Sequence, residues 1–246
     1  MIKNNKVDSK IIDKLNKIYK EIPSTSGCME NISKENGCGA HCCKFNNPSV
    51  LYVEFQNSLQ NILKNWDIED ILKLLESACR TYLNNSVSKA CIFWDKDSKL
   101  CKQHDHTPYS CKIYGITPKE EFEPKYIRLK ILYQDNITAV IKDQCNLIKT
   151  EDNSTVTKKQ VDQWWEDLKD LEKEIGFKNS DINDEDEGTY KTFHDHFLLY
   201  FLPDKTLKEL TNLKINGTYE QREIAILTFM SNIRKQIEKG LNAKEG

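Results

Sequence analysis

Nine cysteines stand in this 246-residue chain, and none lies beyond Cys145. That crowding constrains the fold more than any other feature. The count is odd, and the opening stretch MIKNNKVDSKIIDKLNKIYK has scattered lysines and no apolar core. It therefore does not read as a secretory signal, and the cysteines do not read as an exported disulfide framework. In a reducing compartment, clustered thiols serve first as metal ligands.

The cysteines fall into two groups. The first is Cys28-x9-Cys38-x3-Cys42-Cys43 and the second is Cys91-x9-Cys101-x9-Cys111, with Cys79 and Cys145 standing apart. Gly27, Gly37 and Gly39 give the first group the tight turns that converging ligands need. A tetrahedral zinc site uses four ligands, and so does a cubane cluster. Seven to nine thiols imply two centres, one polynuclear centre or some spare thiols. Soft thiolates select zinc, copper(I) or iron–sulfur over calcium and magnesium. A cluster of bare thiolates repels itself, so deprotonation implies a bound cation.

The flanks of these groups are periodic. Ile11, Ile12, Leu15, Ile18 and Tyr19 predict a helix over 8–21 that Pro23 ends. Residues 50–83 predict one or two helices, with a break at Trp66-Asp67 and Asp67 as N-cap. Thr157 is set to cap a helix through Gly176 that carries Val161, Trp164, Trp165, Leu168, Leu171 and Ile175 on its apolar side. Helices follow over 190–202, 207–213 and 219–241. Residues 27–48 and 85–118 read as aperiodic loops, and 121–148 fits strand or helix. The acidic stretch 181–187 reads as a solvated loop.

The cysteine text resembles a bacterial cysteine-cluster family credited with chelating zinc or iron, the YkgJ-like family. Cys38-Gly39-Ala40-His41-Cys42-Cys43 is similar to the end of its first signature, with one extra residue. Cys91-Ile92-Phe93 is similar to the Cys-Pro-Phe that opens its second. Cys101, Pro108 and Cys111 keep the family spacing, and Tyr109 to Tyr114 continues in register. The departures are Ile92 for proline, Thr107 for arginine, His104 for tyrosine, and Cys28 far upstream. The resemblance spans residues 28–145. Flagellin lysine methylase is similar to the same family and is credited with an iron–sulfur cluster in methyl transfer. The resemblance thus implies a modifying enzyme as one function.

Residues outside the motif have plainer readings. Cys79 shares a helical face with Leu72 and Leu75 and is assigned to the core. Cys145 is assigned to the metal, where it would tie the C-terminal helices to the cysteine loops. His41, His104 and His106 lie within those loops and read as neighbours of the ligands. His194 and His196 open an aromatic stretch, Phe193 to Phe201, that reads as a core-facing helix; an acid–base pair beside the metal is the alternative. Trp164-Trp165 reads as core plus amphipathic surface. No G-x-S-x-G, Walker, H-E-x-x-H or Rossmann motif occurs.

With 38% hydrophobic and 30% charged residues, a net charge of -2 and no long apolar run, the chain predicts a soluble cytoplasmic protein with neither nucleic acid nor membrane as partner. The expected fold is mainly α, with irregular cysteine-rich metal-binding loops packed on a helical bundle. Residues 1–150 are expected to form the metal-binding domain, and 151–246 a helical region packed on it. The expected ligands are Cys28, Cys38, Cys42, Cys43, Cys91, Cys101, Cys111 and Cys145. The expected cofactor is an iron–sulfur cluster, [4Fe–4S] first, with zinc or mononuclear or polynuclear iron as alternatives. Two functions follow: an enzyme acting on a protein or peptide, or a non-catalytic structural, storage or sensor module.

Overall fold

Helix α1 (Ser9–Glu21) starts where Asp8 accepts the Lys10 N–H on its side chain at 3.0 Å, and it buries Ile12 and Leu15. The computed structural model describes residues 7–26, 43, 47–83, 90–118, 148–176 and 191–242. Among them are eight α-helices and one two-stranded sheet, so the fold is mainly α. The chain leaves α1 through Pro23 into β1 (Thr25–Ser26), which pairs antiparallel with β2 (Lys149–Thr150).

Helices α2 (Tyr52–Asn65) and α3 (Ile68–Leu83) part at the expected place. Trp66 is extended, and Asp67 Oδ1 accepts the Asp70 N–H at 2.7 Å. Then come the one-turn α4 (Tyr109–Lys112), α5 (Lys158–Glu174), α6 (Phe193–Phe201), α7 (Asp204–Asn216) and α8 (Tyr219–Asn242). Thr157 caps α5 in a reciprocal box with Gln160, and Gly176, at φ 67°, takes the left-handed conformation just beyond its end.

Helix α2 is central. It packs against α1, α5 and α6, while α3 packs against α6, α7 and α8. A single apolar core runs through these contacts. The first turn of α2 is buried, so its backbone donors need partners within the protein. Two carboxylates supply them. Glu54 Oε2 accepts the Leu51 N–H at 2.9 Å, and Glu172, from α5, accepts Tyr52 N–H and Val53 N–H at 2.8 and 2.9 Å. Negative charge at a helix N-terminus also complements its dipole.

The aromatic stretch is a core helix. Phe193, Phe197 and Leu198 of α6 are buried, and His196 stacks on Phe55 at 5.1 Å with Nε2 2.8 Å from the Val50 carbonyl oxygen. Cys79 lies wholly inside the core, where burial pushes its thiol up to about 12. The expectations for residues 27–42, 121–147 and 181–187 fall outside the described residues. Among the described residues no helix is long and apolar enough to cross a membrane.

Candidate metal centre

The segment 90–118 is irregular but tightly held. Trp94 N–H donates to the Cys91 carbonyl at 3.0 Å, Asp95 N–H to Leu100 and Lys102 N–H to Phe93, both at 2.9 Å. This small hairpin pairs Trp94 with Cys101. Phe93 anchors it, edge-on to Phe193 at 4.7 Å and to Phe197 at 6.1 Å. A 3-10 turn at His104–His106 follows, and then Pro108 opens α4, which carries Cys111.

Helices α2 and α5 grip this segment. Ser58 Oγ donates to the His106 carbonyl at 3.1 Å, and Tyr109 N–H donates to Glu54 Oε1 at 2.6 Å. Tyr109 OH donates to the Val161 carbonyl at 2.8 Å, and its ring stacks on Trp165. The cysteine segment therefore lies against both helices.

The two cysteine groups meet at the backbone. Cys91 N–H donates to the Cys43 carbonyl at 2.8 Å. Cys43, Cys91, Cys101 and Cys111 line one cavity of about 460 Å³. Its wall is completed by Tyr19 of α1, Thr25 of β1 and Ile148 beside β2, among others. The β1–β2 pairing, Ser26 opposite Lys149, thus holds at the cavity rim the point where the chain enters the Cys28 segment and the point where it leaves the Cys145 segment.

The polar groups around the cavity are coupled. Tyr19 OH donates to Glu54 Oε1 at 2.6 Å. Burial raises the Tyr19 phenol well above its usual range, and the Glu54 charge adds to that. Burial raises the Glu54 carboxyl as well, against its hydrogen bonds from Tyr19, Tyr109 and Leu51. Lys112 sits 4.8 Å from the Tyr19 ring centroid. Burial lowers its ammonium pKa, while negative charge at Cys111 and Glu54 opposes the fall.

The expected site residues divide as follows. Cys43, Cys91, Cys101 and Cys111 share the cavity, and exposed His104 lines it too. His106 is half-buried and engaged by Ser58 through its carbonyl. His194 is buried, with Nδ1 2.8 Å from Asn47 Nδ2 and 2.6 Å from Thr192 Oγ1, so its imidazole is tied to the capping region of α6. Cys28, Cys38, His41, Cys42 and Cys145 lie outside the described residues. Among the described residues no three His, Cys, Asp or Glu side chains stand close enough to hold a metal ion. The four thiols surround a space and do not by themselves complete a coordination sphere.

These residues fit a thiolate-held metal in their donor chemistry, since cysteine sulfur suits zinc and iron–sulfur centres. A buried donor in the cavity wall also lacks a partner among the described residues: Gln103 lines the cavity, and its Nε2 has no hydrogen bond there. Residues 34–146 match the family model CxxCxxCC, described as a "Putative zinc- or iron-chelating domain". This segment is similar to that family. The match takes in every cysteine except Cys28, which precedes it. No curated protein and no solved structure matches the chain. The matched segment thus supplies the four cavity thiols, while its supports Tyr19, Glu172 and Phe193 come from outside its bounds.

Glu54, Glu172 and Gln103 escaped the sequence reading. A signal existed for two of them. Glu54 stands three and four residues after Leu51 and Val50, and Glu172 stands one turn after Leu168, so each carboxylate follows an apolar residue on its own side of the helix.

Proposed function

We propose that the matched segment holds an iron–sulfur cluster, [4Fe–4S] in the first instance. Its ligands come from Cys43, Cys91, Cys101 and Cys111 together with Cys28, Cys38, Cys42 and Cys145. The observation that carries this reading is the hydrogen bond from Cys91 to Cys43 at 2.8 Å, beside a cavity that all four described thiols line. It brings together two segments that the sequence separates by two helices. The β1–β2 pairing supports Cys28 and Cys145 as further ligands, since it anchors both of their segments at the same rim.

In this reading residues 1–150 form the metal-bearing part, and 151–246 brace it through α5 and α6. The protein works in the cytoplasm without nucleic acid or membrane. It modifies a protein or peptide substrate, by methyl transfer if the resemblance to flagellin lysine methylase extends to chemistry. A bound cluster would supply the reactive centre, and the surrounding residues hold it and exclude water.

The test is purification without oxygen, followed by counts of iron, zinc and acid-labile sulfide per chain. Brown protein with matching iron and sulfide supports the cluster. Colourless protein with zinc replaces it with a closed structural module. Ser substitution at Cys43, Cys91, Cys101 or Cys111 should lower the metal count in either case. Full metal in all four variants refutes the site.

A further inference from the structure

Gln103 lies two residues beyond Cys101, lines the same cavity as Cys101 and Cys111, and is 2% exposed. The two ends of its amide differ. Oε1 accepts a hydrogen bond from Asn61 Nδ2 at 3.2 Å, and Asn61 Oδ1 accepts one from Asn65 Nδ2 at 2.5 Å. Nε2 is buried with no partner among the described residues. A run of amides of this kind has a direction, because each carbonyl faces the next NH₂ group. Turning Gln103 alone would set its NH₂ against that of Asn61, donor against donor. In this arrangement the NH₂ of Gln103 is the end without a hydrogen bond among the described residues.

The backbone around Gln103 is also fixed. Its carbonyl accepts the His106 N–H at 3.0 Å, and the His106 carbonyl is held by Ser58. Both Ser58 and Asn61 belong to α2, a helix with Val53, Phe55, Leu59 and Ile62 in the core. A buried amide N–H without an acceptor is costly, and a bound group that accepts from it is one way a protein removes that cost. Among the acceptors that line this cavity are the sulfurs of Cys43, Cys91, Cys101 and Cys111. A centre held by several thiolates carries net negative charge, and an N–H donor directed at a ligand sulfur spreads that charge.

We propose that Gln103, oriented by Asn61, donates its Nε2–H to sulfur of the thiolate-held centre and so sets how tightly that centre is kept. This makes Gln103 a positioning residue for the metal site, and it rests on the reading of the cavity as that site. Lys112 does not take this place, because its ammonium lies over the Tyr19 ring.

The experiment uses the full chain with the zinc or iron it carries after purification without oxygen. Release of that metal to excess chelator is followed in the wild type, Gln103→Leu, Gln103→Glu and Asn61→Asp. Gln103→Leu should keep the wild-type metal count but release it about tenfold faster, the lower end of the usual effect of losing a partner of a ligand. Gln103→Glu replaces the donor with an acceptor of the same shape and should release at least as fast. Asn61→Asp keeps Gln103 but draws its NH₂ toward a carboxylate, so release should quicken there too. The double variant Gln103→Leu with Asn61→Asp should be no faster than Gln103→Leu alone, because both remove one interaction. The thiolate-to-metal absorption should shift in the single variants. If Gln103→Leu does not fold, the isosteric Gln103→Glu and Asn61→Asp carry the test. Wild-type release and absorption in the folded variants overturn the assignment of Gln103 alone. A wild-type protein that holds neither zinc nor iron overturns the metal reading and this inference with it.

Discussion

Tyr109 and Glu54 meet at 2.6 Å, backbone N–H to carboxylate, and this bond joins the turn that carries Cys111 to the central helix. The same carboxylate accepts Tyr19 OH from α1 and Leu51 N–H at the start of α2. Glu54→Gln keeps the volume but turns an NH₂ group toward one of these donors. It should cost about 1–3 kcal/mol, the usual penalty for a buried group left without its partner. Chemical denaturation measures that loss. Glu54→Ala should cost more, and both variants should release metal faster than wild type. Unchanged stability in Glu54→Gln would remove Glu54 from the support of the Cys111 turn.

Two buried groups give stability opposite pH dependences. Burial raises Glu172 from 4.5 to about 7, against the two backbone N–H groups it accepts. The folded protein therefore holds a proton there that the unfolded chain has released. The stability from Glu172 is complete below about pH 4.5 and is lost as pH rises through about 7. Burial lowers His196 from 6.5 to about 4. Its contribution is complete above about pH 6.5 and is lost as pH falls toward 4. Glu172→Gln should abolish the decline on the neutral side, and His196→Phe the decline on the acid side. Melting curves across this range check both slopes, and parallel profiles for wild type and Glu172→Gln would refute the first.

Cys79 and Cys145 should behave differently under substitution. Cys79 is fully buried, and its thiol is held protonated far above neutral pH. Cys79→Ala should keep full metal at a cost of about 1 kcal/mol in stability. Native Cys79 should resist alkylation until the protein unfolds. Cys145→Ala should lose metal. Metal analysis of the two variants decides the matter, and the reverse pattern would exchange their roles.

Metal removal should loosen the fold, because binding to a site assembled from separate segments is part of folding free energy. The chelated protein is expected to melt at a lower temperature than the loaded one, with α2, α3 and α6 keeping most of the helical signal. Identical melting curves for the two forms would show that the thiols are not structural ligands.

Arg222 clamps three helices on its own. From α8 it donates to the carbonyls of Leu213 and Lys214 in the last turn of α7 at 3.0 and 2.9 Å, and to that of Leu83 at the end of α3 at 3.2 Å. The Lys214 and Leu83 carbonyls lie in the last turns of their helices, and the Leu213 carbonyl also accepts the Gly217 N–H at 2.9 Å. Arg222→Lys cannot reproduce the planar fork and should cost about 1–2 kcal/mol. Denaturant midpoints should show that loss while the metal count stays at the wild-type value.

The sequence by itself determined the parts of this protein that depend on neighbours three or four residues away. The helix over Ser9–Glu21, the break at Trp66-Asp67 and the Thr157 cap are each written in local spacing and capping chemistry. The clustered cysteines likewise announced metal chemistry, because thiolates at such density have few other uses. The tertiary structure alone decided how distant residues meet. Two-residue strands have no periodicity, so nothing marked Thr25 as the partner of Thr150. Nothing local told that Cys91 would donate to Cys43, or that Glu172 would cap a helix more than a hundred residues upstream. Those contacts arise because a buried backbone donor takes whatever acceptor the packing of α1, α2 and α5 brings within reach, and packing is a property of the whole chain.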